Sequence, residues 1–485
     1  MDAVTYIAVT VAYFLTIAVI VARSYRKGAS EVEFLAASRS IGPWVGGATL
    51  AATQISAGTF VGTVGQHYAT GVGFAWAWFG LWTGWFVCAA FVAPKLRNSG
   101  ALTVPDYMGL RYGSKGPRIV AALLIVFAYA ILLSAQYQAV GEIINATFGL
   151  DPLIPIAAVL LSTTVYTLLG GVRTGSNVDL LQTLVMLAGL AVGLPLLLHA
   201  AGSVGSAGRF LAQLDPRLVT SWFTPSQLVG FGLAFGLAMA TSPYELARFY
   251  SMRDAATTRY AVGVSILFQL LIGGSVLILG LVTRVLFPRI SSPDQASATM
   301  AFEALPPLAG ALFLVAILSA VMSTCNSILI VAGSGLAHDV YGKWLAPAFG
   351  MPNDDRLRVK LNRAAVLLVA IVPVWLALRR FEIIQLVVIE SVSFIASIFF
   401  ASVVIGLNWR RATSAGAVAS MIAGFVTCWI WSRPFGLHDR LPVWLGRFGS
   451  VEAGVVASSI VFVVVSRLSK PGGPATLRPF FEPSR

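Results

Sequence analysis

The sequence predicts an all-α polytopic membrane protein of about 13 transmembrane helices, on three observations. Of its 485 residues, 57% are apolar and 11% charged, whereas about a quarter of the residues in a soluble domain are charged. Apolar runs of about 20 residues, the length that spans a bilayer, recur along the whole chain. The 33 Lys+Arg, which outnumber 20 Asp+Glu and give a net charge of +13, are scattered through short loops between those runs. A nucleic-acid surface needs them gathered into a patch or stripe, so no nucleic-acid partner is expected. Cys88, Cys325 and Cys428 are far apart and each lies inside an apolar run, which suggests neither a disulfide framework nor a zinc site.

The first run, about residues 4 to 22, has no basic residue before it and no small-residue cleavage pattern after it. It reads as a retained helix rather than a signal peptide. Further spans are expected near 42–68, 73–94, 117–146, 152–170, 175–201, 226–250, 259–287, 304–338, 360–378, 381–408, 413–432 and 450–467. An odd number puts the termini on opposite sides. With the N-terminus outside, 24 basic residues fall inside against 9 outside, and all six lysines are inside, as the positive-inside rule requires. The expected setting is therefore the plasma or inner cell membrane with a cytoplasmic C-terminus. From Pro471 the tail, with Gly472, Gly473 and Pro474, has no apolar period and is expected to be disordered to residue 485.

Two spans have a composition that a lipid-facing helix does not need. The first runs from Thr49 to Phe60 through Gln54, Ser56, Gly58 and Thr59, with Gly62 and Gly65 beyond it. Small residues there also suit close helix packing. The second, 230–243, places three glycines and then Pro243 inside a span. Proline removes a helix hydrogen bond, which hydrocarbon tolerates only beside a cavity or buried protein. One segment opens the second helix and the other the seventh. Five helices separate them, so the two halves insert with opposite orientation, the sequence pointer to a secondary transporter with its site near the midplane.

A third segment, Ala316 to Ser327, is richer still in hydroxyls, and Ser319, Ser323 and Ser327 recur every four residues as one polar stripe. Serine in membranes often bonds the preceding turn's carbonyl. A whole stripe, together with carbonyls freed by a broken helix, supplies the oxygens that a sodium ion wants. Four acids fall within spans: Glu142, Asp179, Glu245 and Glu390, each a functional candidate because ionisable groups at depth are costly. Glu142 lies near an outer end. Glu245 has Arg248 three residues on, the spacing of a helical ion pair. Asp179, with Gln182 on the same face, is a candidate to orient helices or bind a second cation. Glu390, the deepest, is a candidate to meet a substrate amine, carry a proton or pair inside the bundle. Trp76, Trp78, Trp82 and Trp85 read as an interfacial belt plus packing.

These residues resemble those of the sodium:solute symporters, over roughly residues 30 to 410. The stretch Glu33 to Gly42, Gly170-Gly171 followed by Asp179 and Gln182, Pro243 with Arg248-Phe249, and Ala320 to Thr324 carry the resemblance. It implies a leucine-transporter-type 5+5 inverted repeat with one helix before and two after. The corresponding segments are 1–41, 42–225 (core helices 1–5), 226–412 (core helices 6–10), 413–470 and the tail. It also implies a sodium site on backbone oxygens of Ala52, Ile55 and Ala320 and hydroxyls of Ser323 and Thr324. Asp179, with Ser319, maps to a second cation or coupling position. The family's substrate positions map to Gln54, Ser56, Gly58, Thr59, Phe235 and Met239, and Glu390 joins them as a candidate. Gly58 replaces the glutamate of sugar carriers, Gln54 replaces the aspartate of proline carriers, and Ile131 to Ser134 lack the arginine of sialic-acid carriers.

The expected function is sodium-coupled import of a small organic solute (a monocarboxylate, an amino acid or a pantothenate-like acid) by alternating access. Sodium is the coupling ion, and neither an organic cofactor nor an oligomer is required. The nearest alternative keeps the fold but couples to protons through Asp179 or Glu390, or runs as a uniporter. An integral-membrane enzyme is disfavoured: the chain has no HExxH, GxSxG, P-loop or Asp-rich pyrophosphate motif, and His67, His199, His338 and His438 are isolated. A channel would be expected to repeat a pore-lining ring or work as an oligomer.

Overall fold

The structure, a computed structural model, describes residues 3–25, 30–379, 384–433, 436–442 and 449–481. Arg26, Lys27, Arg380, Arg447 and Arg485, the first three residues of the expected 381–408 span and the last four of the tail lie outside these residues. Every named element among them is helical.

Helix α1, Ala3–Ser24, lies against the bundle by one face: Tyr6, Tyr13, Ile17 and Val21 are buried, while Ile7 and Leu15 face outward. After α2, Glu31–Ala36, capped by the Ser30 hydroxyl, comes α3, Pro43–Gln54. It breaks and resumes as a π-type turn, Gly58–Thr63, and α4, Val64–Thr70. Gly71, at φ 73°, turns the chain into α5, Trp76–Val87, and α6, Ala93–Asn98. A short α7, Val104–Tyr112, leads to α8, Lys115–Phe148, and then α9, Leu153–Ala201. Beyond α10, Val204–Leu214, the second broken pair is α11, Pro225–Thr241, and α12, Pro243–Ser251, followed by α13, Ala255–Leu286. A short α14, Ala296–Thr299, precedes α15, Pro307–Ser334, which runs through a π-type stretch, Gly335–Leu345, into α16, Ala346–Phe349. Then come α17, Asp355–Ala377, α18, Ile384–Phe399, α19, Gly406–Asn408, α20, Ser414–Trp431, α21, Ser450–Leu468, and α22, Pro474–Phe481.

Ten of these helical stretches are long and apolar enough to cross a membrane, against the 13 expected. The difference lies at the interruptions. The 49-residue α9 contains the corner at Gly171 (φ 56°, ψ −150°), where the expected spans 152–170 and 175–201 meet. The stretch Gly58–Asn98 likewise runs through Gly71. Helices α3 and α11, of 12 and 17 residues, are cut short by their breaks.

Helix α15 is the centre of the bundle, with 89% of its most apolar window buried, against 17% for α1. It packs along α9 and against α3 and α8. The broken helix α3 packs on α13, and the other broken helix, α11, packs on α5. Each thus leans on the helix that follows the other, the reciprocal arrangement that an inverted repeat produces. The α5–α11 contact is made by glycines: a Cβ on Gly80 or Gly84 would strike the carbonyl of Gly232 or Gly236, the close backbone approach that small residues permit in membranes.

The tryptophan run divides between packing and exposure: Trp78 and Trp85 are buried, and Trp76 is exposed. Trp85 donates its indole N–H to Gln269 Oε1 at 3.1 Å. The tail, expected to be disordered, is ordered from Pro474 to Phe481: Phe480 is buried with its ring edge-on to Tyr107, and the Phe481 ring meets the cations of Lys95, Arg111 and Arg410. Two aromatic anchors supply what a polar, Gly/Pro-rich composition lacks.

At Gly171 the backbone occupies a conformation essentially confined to glycine, and an added Cβ would meet the Phe34 carbonyl. Gly171→Ala is therefore expected to cost about 1–3 kcal/mol, read as a lowered thermal unfolding midpoint of the purified protein.

Candidate functional site

The site begins with two backbone breaks. Helix α3 stops at Gln54 because Ile55 adopts extended dihedrals (φ −76°, ψ 117°). The amides beyond it find other acceptors: Ala57 N–H donates to Gln136 Oε1 at 2.9 Å, Gly58 N–H to Ser56 Oγ at 3.0 Å and Ser56 N–H to Thr59 Oγ1 at 3.3 Å. The second break falls at Ser242 (φ −66°, ψ 117°), and Pro243 occupies the first turn of α12, where a missing N–H costs nothing. Tyr129 serves this break, its hydroxyl accepting from Tyr244 N–H at 2.8 Å and lying 3.3 Å from Ser242 Oγ. Gln136 and Tyr129 stand two turns apart on one face of α8, so a single helix secures both breaks. Sequence reasoning missed both residues. The available signal was a pair of polar groups seven apart in an apolar helix.

The first break frees carbonyls that turn toward α15. Ser323 Oγ lies 2.8 Å from Ala52 O and 3.1 Å from Ala320 O, and Thr324 Oγ1 lies 3.1 Å from Thr53 O and 3.2 Å from Ile55 O. The five oxygens expected from Ala52, Ile55, Ala320, Ser323 and Thr324 are thus brought together, with Thr53 O as an addition. All lie on residues at most 1% exposed. Two hydroxyl hydrogens face four carbonyls there, and a dry, acceptor-rich point of this kind suits a hard cation, which prefers oxygen ligands.

The stripe on α15 reaches three different partners. Ser319 donates to the Tyr13 hydroxyl of α1 at 3.0 Å, as does Gln182 Nε2 at 3.1 Å. Ser323 belongs to the oxygen cluster, and Ser327 lies 2.9 Å from Thr53 Oγ1 and accepts from Arg248. Asp179 is fully buried on α9 with Oδ2 3.0 Å from the Arg248 guanidinium, and it accepts from Thr49 Oγ1. The expected Glu245–Arg248 helical pair is therefore corrected: Arg248 turns across the bundle to Asp179 and donates to Thr53 Oγ1 at 3.2 Å. The reason is geometric, because the break before α12 aims Arg248 at α3 and α9. Asp179 and Ser319 do not share a ligand point, since Ser319 is held one turn away at Tyr13.

Beside the oxygen cluster lies a small cavity of about 30 Å³ in this conformation. Gln54, Ser56, Gly58, Thr59 and Phe235 line it as expected, together with Thr63, Phe74, Trp78, Leu132, Tyr244, Gln385 and Val388. No ionisable Asp, Glu, Lys, Arg or His is among its lining residues, and Thr324 belongs to both pocket and oxygen cluster. Gln54 Oε1 is buried without a hydrogen-bond partner. Two expected members are corrected. Met239 is buried in the core but does not line the pocket. Glu390 points toward the C-terminal helices, where Ser450 Oγ donates to its Oε2 at 3.0 Å, because depth along α18 does not determine which face a residue occupies. Glu142 accepts from Gln138 Nε2 at 2.7 Å and likewise lies outside the pocket.

Comparison with known proteins agrees with this geometry. Residues 34–424 match the sequence profile of the sodium:solute symporter family. A sodium/proline symporter of Staphylococcus aureus is 29% identical over 497 aligned positions, covering 97% of this chain and 93% of the relative. Among solved structures, a Na+-coupled sialic acid symporter in a substrate-bound outward-open state superposes with a TM-score of 0.82 at 17% identity, covering 97% of this chain and 99% of the other. A nucleobase-cation-symport-1 family transporter superposes with a TM-score of 0.58 at 13% identity, covering 92% and 97%. Both likenesses establish a leucine-transporter-type fold.

Removing either partner of the buried Asp179–Arg248 pair strands a charge and is expected to cost about 3–5 kcal/mol. Asp179→Asn should accordingly lower the unfolding midpoint sharply, and the double variant with Arg248→Met should recover part of the loss. Glu390→Gln, which keeps a hydrogen-bonding group facing Ser450, should transport at a rate within about twofold of the parent, since a change below ~0.5 kcal/mol is usual away from such features.

Proposed function

Because the chain belongs to the sodium:solute symporter family and is a multi-pass, sodium-coupled solute transporter rather than an enzyme, we propose that it imports a small amino acid by alternating access. Sodium sits between Ala52, Thr53 and Ile55 of the broken α3 and Ala320, Ser323 and Thr324 of α15. The observation that carries this reading is the seam itself: α3 and α15 meet through carbonyls and hydroxyls short of donors, so an ion there ties the two helices together. Thr324 transmits the tie to the solute pocket, of which it forms a wall.

The solute class follows from the lining. A pocket without fixed charge accommodates a zwitterion whose carboxylate faces sodium and the Thr324 hydroxyl. Its nitrogen donates to the unpaired Gln54 carbonyl, and its apolar body lies among Phe74, Trp78, Phe235 and Val388. A monocarboxylate without a further donor would use the same carboxylate contacts and leave Gln54 unserved. Proton coupling is disfavoured, since Asp179 is paired with Arg248 and Glu390 lies outside the pocket. With the basic loops inside, the N-terminus is external, and the resting potential drives sodium and solute inward.

One sodium ion moving down 100 mV supplies about 2.3 kcal/mol, and a tenfold concentration ratio adds about 1.4, enough for roughly 500-fold accumulation of a net-neutral solute. Uptake into proteoliposomes is expected to follow an imposed sodium gradient. Ser323→Ala with Thr324→Ala should abolish the sodium dependence, while Gln54→Ala should raise KM for amino acids about tenfold, the equivalent of ~1.4 kcal/mol for one lost buried hydrogen bond. Uptake indifferent to sodium, or driven equally by a pH jump, would overturn the proposal.

A further inference from the structure

About four turns beyond Thr324 along α15 and its extension, at the end of the bundle that carries the basic loops, a polar cluster is buried where five segments converge. Glu31 comes from α2, Asp106 from α7, Arg118 from α8, His338 and Asp339 from the π-type extension of α15, and Arg358 from α17. His338 is 2% exposed and Asp339 is fully buried.

The hydrogen bonding leaves ligand atoms unused. Glu31 Oε1 lies 2.9 Å from His338 Nδ1 and engages that side of the ring, leaving Nε2 as the ring nitrogen on the side of Asp106 and Asp339. That nitrogen has no hydrogen-bond partner and stands 3.9 Å from Asp106 Oδ2. Thr103 Oγ1 donates to Asp339 Oδ2 at 2.7 Å, while Oδ1, without a hydrogen bond, lies 3.8 Å from Arg118 Nε. Arg118 holds Asp106 Oδ1 at 2.8 Å. One ligand atom each from Asp106, His338 and Asp339 lies within 4.8 Å of the others.

A carboxylate on the far nitrogen is how metal-binding imidazoles are oriented. Charge points the same way: three buried carboxylates, Glu31, Asp106 and Asp339, face two guanidiniums, Arg118 and Arg358. A cation held by Nε2 and the carboxylate oxygens offsets the surplus negative charge and serves the nitrogen that has no hydrogen-bond partner.

We propose that Asp106, His338 and Asp339 bind one late first-row divalent cation, such as Zn2+ or Co2+, for which a nitrogen and two carboxylate oxygens are a fitting donor set. Glu31 orients the histidine and water completes the shell. The ion ties α7 to the extension of α15, the helix whose Ser323 and Thr324 line the sodium seam, and so restrains this end of the bundle.

The test is titration of the purified, untagged full-length protein with Co2+ and then Zn2+ at pH 7 and 8.5. One equivalent of Co2+ should develop visible ligand-field absorption, Zn2+ should displace it, and the unfolding midpoint should rise. His338→Gln should lose the spectrum and the rise while keeping its stabilisation by sodium, and Glu31→Gln should weaken Co2+ binding by about 10–100-fold. No saturable one-equivalent signal at either pH would overturn the proposal and leave a proton as the only completion of the cluster. Binding by His338→Gln equal to that of the parent would overturn it as well.

Discussion

The interaction on which the rest depends is the meeting of a broken backbone with a hydroxyl-bearing helix. In an apolar bundle every carbonyl must find a partner, and the unwinding of α3 at Ile55 releases several at once. Their partners are Ser323 and Thr324, which come from the most deeply buried helix of the protein. The match is incomplete: two hydroxyl hydrogens face the three freed carbonyls of Ala52, Thr53 and Ile55, and what makes the seam poor as a purely protein contact suits it to the proposed cation. A cation bound there would stabilise the approach of α3 to α15. Without one, hydroxyl bonds across the seam, each worth about 0.5–1.5 kcal/mol, and the Arg248 bridge from Thr53 to Ser327 hold the two helices.

Around this seam, buried polar contacts tie the helices to one another. The Asp179–Arg248 pair joins α9 to α12 and reaches α3 through Thr49 and Thr53 and α15 through Ser327. On the opposite side, Gln136 and Tyr129 of α8 hold the two breaks open. The carbonyls proposed to bind sodium are therefore positioned by groups outside the seam, and the neighbouring pocket shares that positioning because Gln54, Ser56 and Thr59 flank the same break.

How much of this was legible varied with how local its cause is. The crowding of small and hydroxyl residues at 49–60, the proline at 243 and the four-residue stripe from Ser319 to Ser327 each report a local preference, and they pointed to both breaks and to Ser323 and Thr324. The Glu245–Arg248 pairing failed because sequence spacing assumes a helix neighbour is the best partner, whereas a charge buried across the bundle was available to Arg248. Glu390 was misplaced for a related reason: residue depth can be counted along a helix, but the azimuth is set by packing, which turns it to Ser450. The tail was misread because composition says nothing of a receptive surface, and Phe480 and Phe481 found one.

By itself the sequence determined what one-dimensional physics can: a polytopic helical membrane protein, two interrupted helices five apart, and a stripe of hydroxyls on a third, because hydropathy, helix-breaking and hydroxyl periodicity act within a turn or two. Only the tertiary structure decided which oxygens converge, that Thr53 joins them, that Arg248 belongs to Asp179, and that the pocket carries no charge. Those outcomes depend on the rotation and approach of helices up to hundreds of residues apart, which are settled by three-dimensional packing and by the need to satisfy buried polar groups.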